Sequence, residues 1–260
     1  MRAVVLEKAY GPHEPREFTP AFLSLCSGLS VDIRVVGSAG RGWLVLELSG
    51  EDEEVALRLL AEEIGLAPIR ASELKRFSKI RGKISAVAPE GVYVDIGVFE
   101  PINLDALVPL GALRAQLADG LDVNMAVLSR LFCLSEGLPL EVRLLEEPGE
   151  PPDEPLRAEL TEEQVRAFER WVRSGLDRAV VLGASHHALK RALWSSGLYE
   201  QIIGIERLGL LENAVLIRLG SSSRKVVSAL SRRLRKATVL AFRPREVMKA
   251  VPGRYSPAIF

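Results

Sequence analysis

Cysteine, histidine and aromatic side chains are scarce in this chain of 260 residues, and each shortage closes off a class of chemistry. Cys26 and Cys133 stand alone, with no CxxC and no neighbouring histidine, so neither a zinc site nor a disulfide framework is expected, and both thiols read as small buried hydrophobes. The histidines are His13, His186 and His187, and the last two, as neighbours on a helix, are not expected to point into one site. No nucleophile–base spacing, no acidic metal cluster and neither the GxGxxG nor the GxxxxGK[ST] pattern is present. The expectation is therefore no catalytic residue, no metal and no cofactor. Long apolar runs are missing too, and Met1 to Leu6 is too short for a signal peptide, which points to a cytoplasmic protein with no membrane partner. Asn, Gln, Cys and Met are few where Arg, Glu and Leu are many, a composition that leans toward a thermophile.

Net charge is also absent, with 34 basic against 34 acidic residues, but the charges are unevenly spread. Residues 1–69 carry six basic and eleven acidic side chains, while residues 148–260 carry nineteen and twelve. From Arg218 onward, eleven basic residues face one acid, Glu246. One end of the molecule should present a basic face.

Residues 1–69 read β-α-β-β-α. Arg2 to Leu6 alternates as a strand, and Thr19-Pro20 opens a helix over Ala21 to Leu29. Val31 to Val36 and Trp43 to Leu48 flank a glycine-rich hairpin turn. Glu51 to Glu54 crowd the start of a second helix whose buried stripe is Val55, Leu59, Leu60 and Ile64. That order predicts a ferredoxin-like module. Trp43 reads as core rather than as a stacking platform.

Residues 70–147 are organised around Lys79 to Gly97, two strands joined at Pro89-Glu90-Gly91, with Val92, Val94 and Ile96 alternating against Tyr93 and Asp95. Lys79, Arg81 and Lys83 share one strand face by the period of two, as an RNA contact or as a lysine-guarded, solvated barrel edge. The spacing Gly82, Ile84, Val87, Gly91, Tyr93 to Gly97, with Ala106 to Pro109 and Gly137 to Leu145, resembles the RNA-binding OB fold repeated in the largest small-subunit ribosomal protein. The resemblance covers residues 77–147 and implies a closed barrel with Tyr93 outside and Val92 and Val94 inside. It also implies an RNA-contacting role for Tyr93. Glu90 and Pro109 stand where that family carries an aromatic residue and a histidine, so Tyr93 alone matches the binding face.

Glu146 to Pro155 is an acidic, proline-rich run, and residues 148–158 are expected to act as a linker between the barrel and the last module. Thr161 to Gln164 is a capping box, opening a helix with Val165, Phe168 and Val172 on its apolar stripe. Residues 159–247 then contain a repeat at an offset of 37: Leu182-Gly183-Ala184-Ser185 matches Leu219-Gly220-Ser221-Ser222, and each copy reads strand, glycine turn, serine-capped helix, strand. Two such units predict a ferredoxin-like βαββαβ module, with Val180 and Ile217 on adjacent antiparallel strands. On its second helix Val226, Val227, Leu230 and Leu234 take one side, and Arg224, Lys225, Arg232, Arg233, Arg235 and Lys236 supply a phosphate-binding charge. His187, Lys190 and Trp194 share a face of the first helix, with Trp194 equally explained by packing. Residues 248–260 read as a basic tail.

Taken whole, and most clearly from Leu210 to Gly220, the chain resembles an archaeal family of uncharacterised proteins that carry this barrel between two α/β modules. The order of barrel and α/β module is also similar to the alpha subunit of archaeal initiation factor two. The fold class expected is α+β. The function expected is non-enzymatic binding of structured, ribosome- or translation-associated RNA, with ribosomal proteins as further partners. An RNA-processing enzyme or subunit and a scaffold for an acidic protein partner stay open beside it.

Overall fold

The computed structural model describes residues 1–149 and 155–255. It is a mixed α+β protein containing a closed five-stranded barrel and two separate antiparallel sheets. Residues 150–154 of the expected linker and the last five residues of the expected basic tail lie outside the described residues.

The first sheet comprises β1 (Arg2–Lys8), β2 (Val31–Ala39) and β3 (Trp43–Gly50) in the order β1-β3-β2. Helix α1 (Thr19–Leu25) ends four residues before the expected Leu29, and a 3-10 turn at Pro15–Phe18 precedes it. Helix α2 (Glu53–Glu63) buries Ala56 and Leu60 and leaves Val55 exposed, so its buried stripe lies one residue from the expected register at its start. After α2 the chain returns beside β1, bridging Leu66 to Val5 antiparallel. The uninterrupted Val4-Val5-Leu6 has a simple cause: Val5 packs under the helices, while Val4 and Leu6 pack with Trp43 and Ala67 against the barrel. Trp43 is buried, as its reading as core requires.

The short β4 (Ile69–Arg70) leads into the barrel, built from β5 (Lys79–Ala88), β6 (Gly91–Glu100), β7 (Leu104–Pro109), β8 (Pro139–Leu144) and β9 (Leu156–Leu160). Pairing runs β6-β5-β8-β9-β7, and β7 closes back on β6. Val92 and Val94 point inward and are fully buried, while Tyr93 is half-exposed on the outside, where its hydroxyl donates to Glu90 at 2.7 Å. The expectation that residues 77–147 suffice for closure needs correcting. The fifth strand is β9, which the linker reading to residue 158 had partly absorbed. It pairs parallel with β7 and antiparallel with β8. Helices α3 (Leu110–Ala118), α4 (Met125–Phe132) and α5 (Glu162–Arg173) cover the barrel's apolar end, and Phe132, Phe168 and Trp171 meet edge to face.

The last sheet contains β10 (Arg178–Leu182), β11 (Ile202–Arg207), β12 (Glu212–Ile217) and β13 (Thr238–Phe242) in the order β11-β12-β10-β13, all antiparallel. Val180 pairs with Ala214 on β12, the strand that carries Ile217, so the two reference residues do lie on adjacent antiparallel strands. Helices α6 (His186–Ser195) and α7 (Ser223–Arg233) cover one face, capped by the side chains of Ser185 and Ser222. The other face packs on α5, on the barrel-capping helices and on α8 (Pro244–Ala250). A short α9 (Pro252–Tyr255) follows, and Tyr255 is buried with its hydroxyl donating to the Leu117 carbonyl oxygen. Up to residue 255 the expected basic tail is therefore packed against the barrel helices. Among the described residues no helix is long and apolar enough to cross a membrane.

Candidate functional site

The basic residues chosen on sequence fall into two unlike environments. On β5, Lys79 pairs with Glu163 at 3.2 Å and Arg81 donates to the Glu63 carbonyl oxygen at 2.6 Å, both at the surface. Lys83, two residues further along the same face, is 2% exposed. Its ammonium is closed off from solvent, so the solvated-edge reading does not hold for it, and the reason is tertiary: Glu7 of the N-terminal module and Glu212 at the start of β12 close over it. Its Nζ lies 2.7 Å from Glu7 Oε2 and 2.8 Å from Glu212 Oε2. Tyr10 donates its hydroxyl to the other oxygen of Glu212, and the Leu210 N–H donates to Glu7 Oε1. One ammonium is thus caught between carboxylates from the first and last modules.

Electrostatics around this junction follow from burial. Desolvation pushes the Glu7 carboxyl above its usual range against the pull of Lys83, and the nearby Glu212 charge adds to the rise. Burial opposes the charge on Lys83, but the two carboxylates outweigh it and hold the ammonium above its ordinary value. The Tyr10 hydroxyl is raised by burial and by Glu212, so it stays a donor. A second buried pair stands beside the first. Lys8 meets Asp95 at 2.5 Å over the Trp43 ring, and the Trp43 indole N–H donates to the same carboxylate. Sequence reasoning missed Glu7, Tyr10 and Glu212; the one signal is an acid, Glu212, at the head of an otherwise buried strand.

Between the three modules this junction opens into a cleft of about 960 Å³. Glu7 and Lys83 lie on its wall with Arg81, Phe168 and Trp171, and the first turns of α6 and the end of β11 close it opposite. His186 and His187, in the first turn of α6, both line it, contrary to the expectation that neighbouring histidines could not share a site; His186 Nδ1 lies 3.4 Å from Asn213 Oδ1. Among the described residues no group of histidine, cysteine, aspartate and glutamate could hold a metal ion.

The C-terminal candidates form the second environment. Arg224, Lys225, Arg232, Arg233, Arg235 and Lys236 are all exposed on or just after α7. Among the described residues none of them has a carboxylate within salt-bridge distance. Val226 and Leu230 anchor the opposite side of the helix in the core, so the charged side cannot turn inward. Arg233 reaches across to α6 and donates to Ser195 Oγ at 2.9 Å and to the Ser195 carbonyl oxygen. Next to that bridge, Trp194 is 66% exposed and stacks on Tyr199, itself 43% exposed, with ring centroids 4.6 Å apart and planes at 21°. Packing against the preceding helix therefore does not account for Trp194. Cations and a paired aromatic face lie on one helical layer, whereas Tyr93 belongs to the barrel and is tied to Glu90.

Comparison with known proteins places most of this architecture in one family. Residues 74–172 match the DUF2110 central domain, and residues 176–241 match the DUF2110 C-terminal domain. The first match takes in the barrel through α5, including β9, and the second takes in the four-stranded sheet with α6 and α7. No curated protein matches the chain.

Proposed function

For a chain that belongs to the DUF2110 family by its central and C-terminal domains, we propose a non-enzymatic RNA-binding role in the cytoplasm. In this reading it grips structured RNA, of the ribosomal or translation-associated kind, mainly through phosphates, with ribosomal proteins as neighbours. The finer fold reading goes with it: an OB barrel between two ferredoxin-like modules. In support, the barrel's strand order makes the third strand parallel to the fifth, and both flanking sheets place the first and third strands side by side.

The observation that carries the proposal is the exposed Trp194–Tyr199 pair beside the unpaired cations of α7. A stacked aromatic pair left in water costs apolar exposure that folding alone has no reason to keep, and bases stack on such surfaces. Cations without acidic neighbours repel one another at rest and gain on meeting a polyanion, with release of its counterions. A solvated, salt-bridged helix would instead intersperse acids, as α5 does with Glu162 and Arg166.

Fluorescence anisotropy with labelled RNA tests this on single variants. Trp194→Ala should weaken binding by about 1–3 kcal/mol, the range for removal of one base stack. Tyr93→Ala should leave affinity within experimental scatter. The reverse ranking would move the interface to the barrel, and binding of an acidic protein but of no RNA would favour the scaffold reading.

A further inference from the structure

The cleft between the modules has a charge pattern that the RNA reading does not use. Its carboxylates are largely engaged: Glu7 with Lys83 and the Leu210 N–H, Glu17 with His13, Glu206 with the Trp171 indole N–H. Beyond the engaged Lys83 and Arg81, two of its cations are not. Arg191 and Arg207 line the same cleft, are exposed, and among the described residues have no carboxylate within salt-bridge distance. Their side of the cleft also carries His186 and His187. Burial and the neighbouring Arg207 and Lys190 charges depress the His186 imidazole, the response expected where positive potential is left uncancelled. Apolar surface from Phe18, Leu25, Phe168 and Trp171 completes the lining.

The cleft's volume is that of a site for a small organic ligand rather than an ion. Guanidinium groups with no internal partner are suited to bidentate recognition of phosphate or carboxylate, and the apolar wall to a planar ring. We propose that this cleft binds a phosphate monoester of nucleotide size, its phosphate held by Arg191, Arg207 and His187 and its base against the apolar wall. The phosphate reaches the cleft either on a free mononucleotide or on the 5′ end of an RNA. Because residues from all three modules line the cleft, occupancy also ties the modules together. This site does not rest on the α7 face, none of whose cations lines the cleft.

Isothermal titration of the full chain at low salt, with AMP, GMP, CMP and UMP and then with a short oligoribonucleotide carrying a 5′-phosphate or a 5′-hydroxyl, tests the site. At least one nucleotide or the phosphorylated oligonucleotide should bind one to one. The double variant Arg191→Gln, Arg207→Gln should weaken that binding about a hundredfold, roughly tenfold for each charge-assisted hydrogen bond removed, while Arg58→Gln, exposed on α2 and outside the cleft lining, leaves it unchanged. A phosphorylated oligonucleotide that binds more tightly than both its 5′-hydroxyl counterpart and any mononucleotide, an advantage lost in the double variant, identifies an RNA end as the source, and tighter binding of a mononucleotide identifies a free nucleotide. Protection of His187 from diethyl pyrocarbonate by the bound ligand reads the same site in the unaltered protein. Absence of binding by every probe at millimolar concentration, binding that the double variant retains in full, or binding without protection of His187 would each overturn the proposal.

Discussion

Lys83 carries the most consequence of any single residue. Removing it would leave Glu7 and Glu212 facing one another inside the protein, and breaking a buried pair in this way costs about 3–5 kcal/mol. Lys83→Met should show that destabilisation in urea unfolding, and the triple variant Lys83→Met, Glu7→Gln, Glu212→Gln should recover much of it. Glu7→Gln alone should be far milder, because burial already favours the protonated form of Glu7. A carboxyl raised in the folded state binds protons more tightly there than in the unfolded chain. Its contribution is full below the unfolded value, near 4.5, and is lost as pH rises through the higher folded value. Unfolding free energies measured from pH 4 to pH 8 should therefore move in favour of Glu7→Gln as pH rises. A difference that stays flat or moves in favour of the wild type would contradict the assignment. The sequence made the face shared by Lys79, Arg81 and Lys83 legible through strand periodicity. It could not say what covers that face, since Glu7 and Glu212 come from segments 76 and 129 residues away.

Among the elements, those specified by local pattern were read with little error. The repeat of residues 182–205 on 219–242 yielded β10, α6 and β11, then β12, α7 and β13, because glycine turns and serine caps fix where each helix starts. The hairpin of β5 and β6 was legible from alternation. Strand β9 was not, because its partners lie far along the chain and an acidic, proline-rich stretch precedes it. Its place in the ladder leads to a direct expectation. A fragment of residues 74–147 leaves β7 and β8 with open edges and should remain unfolded or aggregate, whereas a fragment of residues 74–172 should give a dispersed amide spectrum. Folding of the shorter fragment would remove β9 from the barrel's requirements. Close approach of β5 to β6 sets a second expectation. A Cβ on Gly82 would run into the Asp95 carbonyl oxygen and the Val94 side chain, so Gly82→Ala should cost about 1–3 kcal/mol in thermal or urea unfolding.

At the scale of the whole molecule, the three modules are joined by charge, buried at Lys83 and exposed at Arg41, rather than by an apolar interface alone. Lys83 on the barrel holds Glu7 of the first sheet and Glu212 of the last, and Arg41 of the β2–β3 turn binds both oxygens of Asp105 on β7 at 2.8 Å. The same arrangement leaves the α6–α7 layer facing outward, with its cations and its aromatic pair unshielded. That layer was half legible in the sequence: the imbalance of charge after Arg218 announced it, but the exposure of Trp194 depends on how Tyr199 and β11 meet the helix end. If this layer binds RNA through phosphates, as proposed, the salt dependence of affinity tests it most directly. Association constants for a labelled structured RNA, measured from 50 to 300 mM salt, should fall linearly on logarithmic axes for the wild type. The variant Arg232→Gln, Arg235→Gln, Lys236→Gln should bind more weakly, with a slope shallower by up to ~3 units, about 0.7 to 0.9 for each phosphate no longer neutralised. Equal affinity and equal slope for the two proteins would contradict the account.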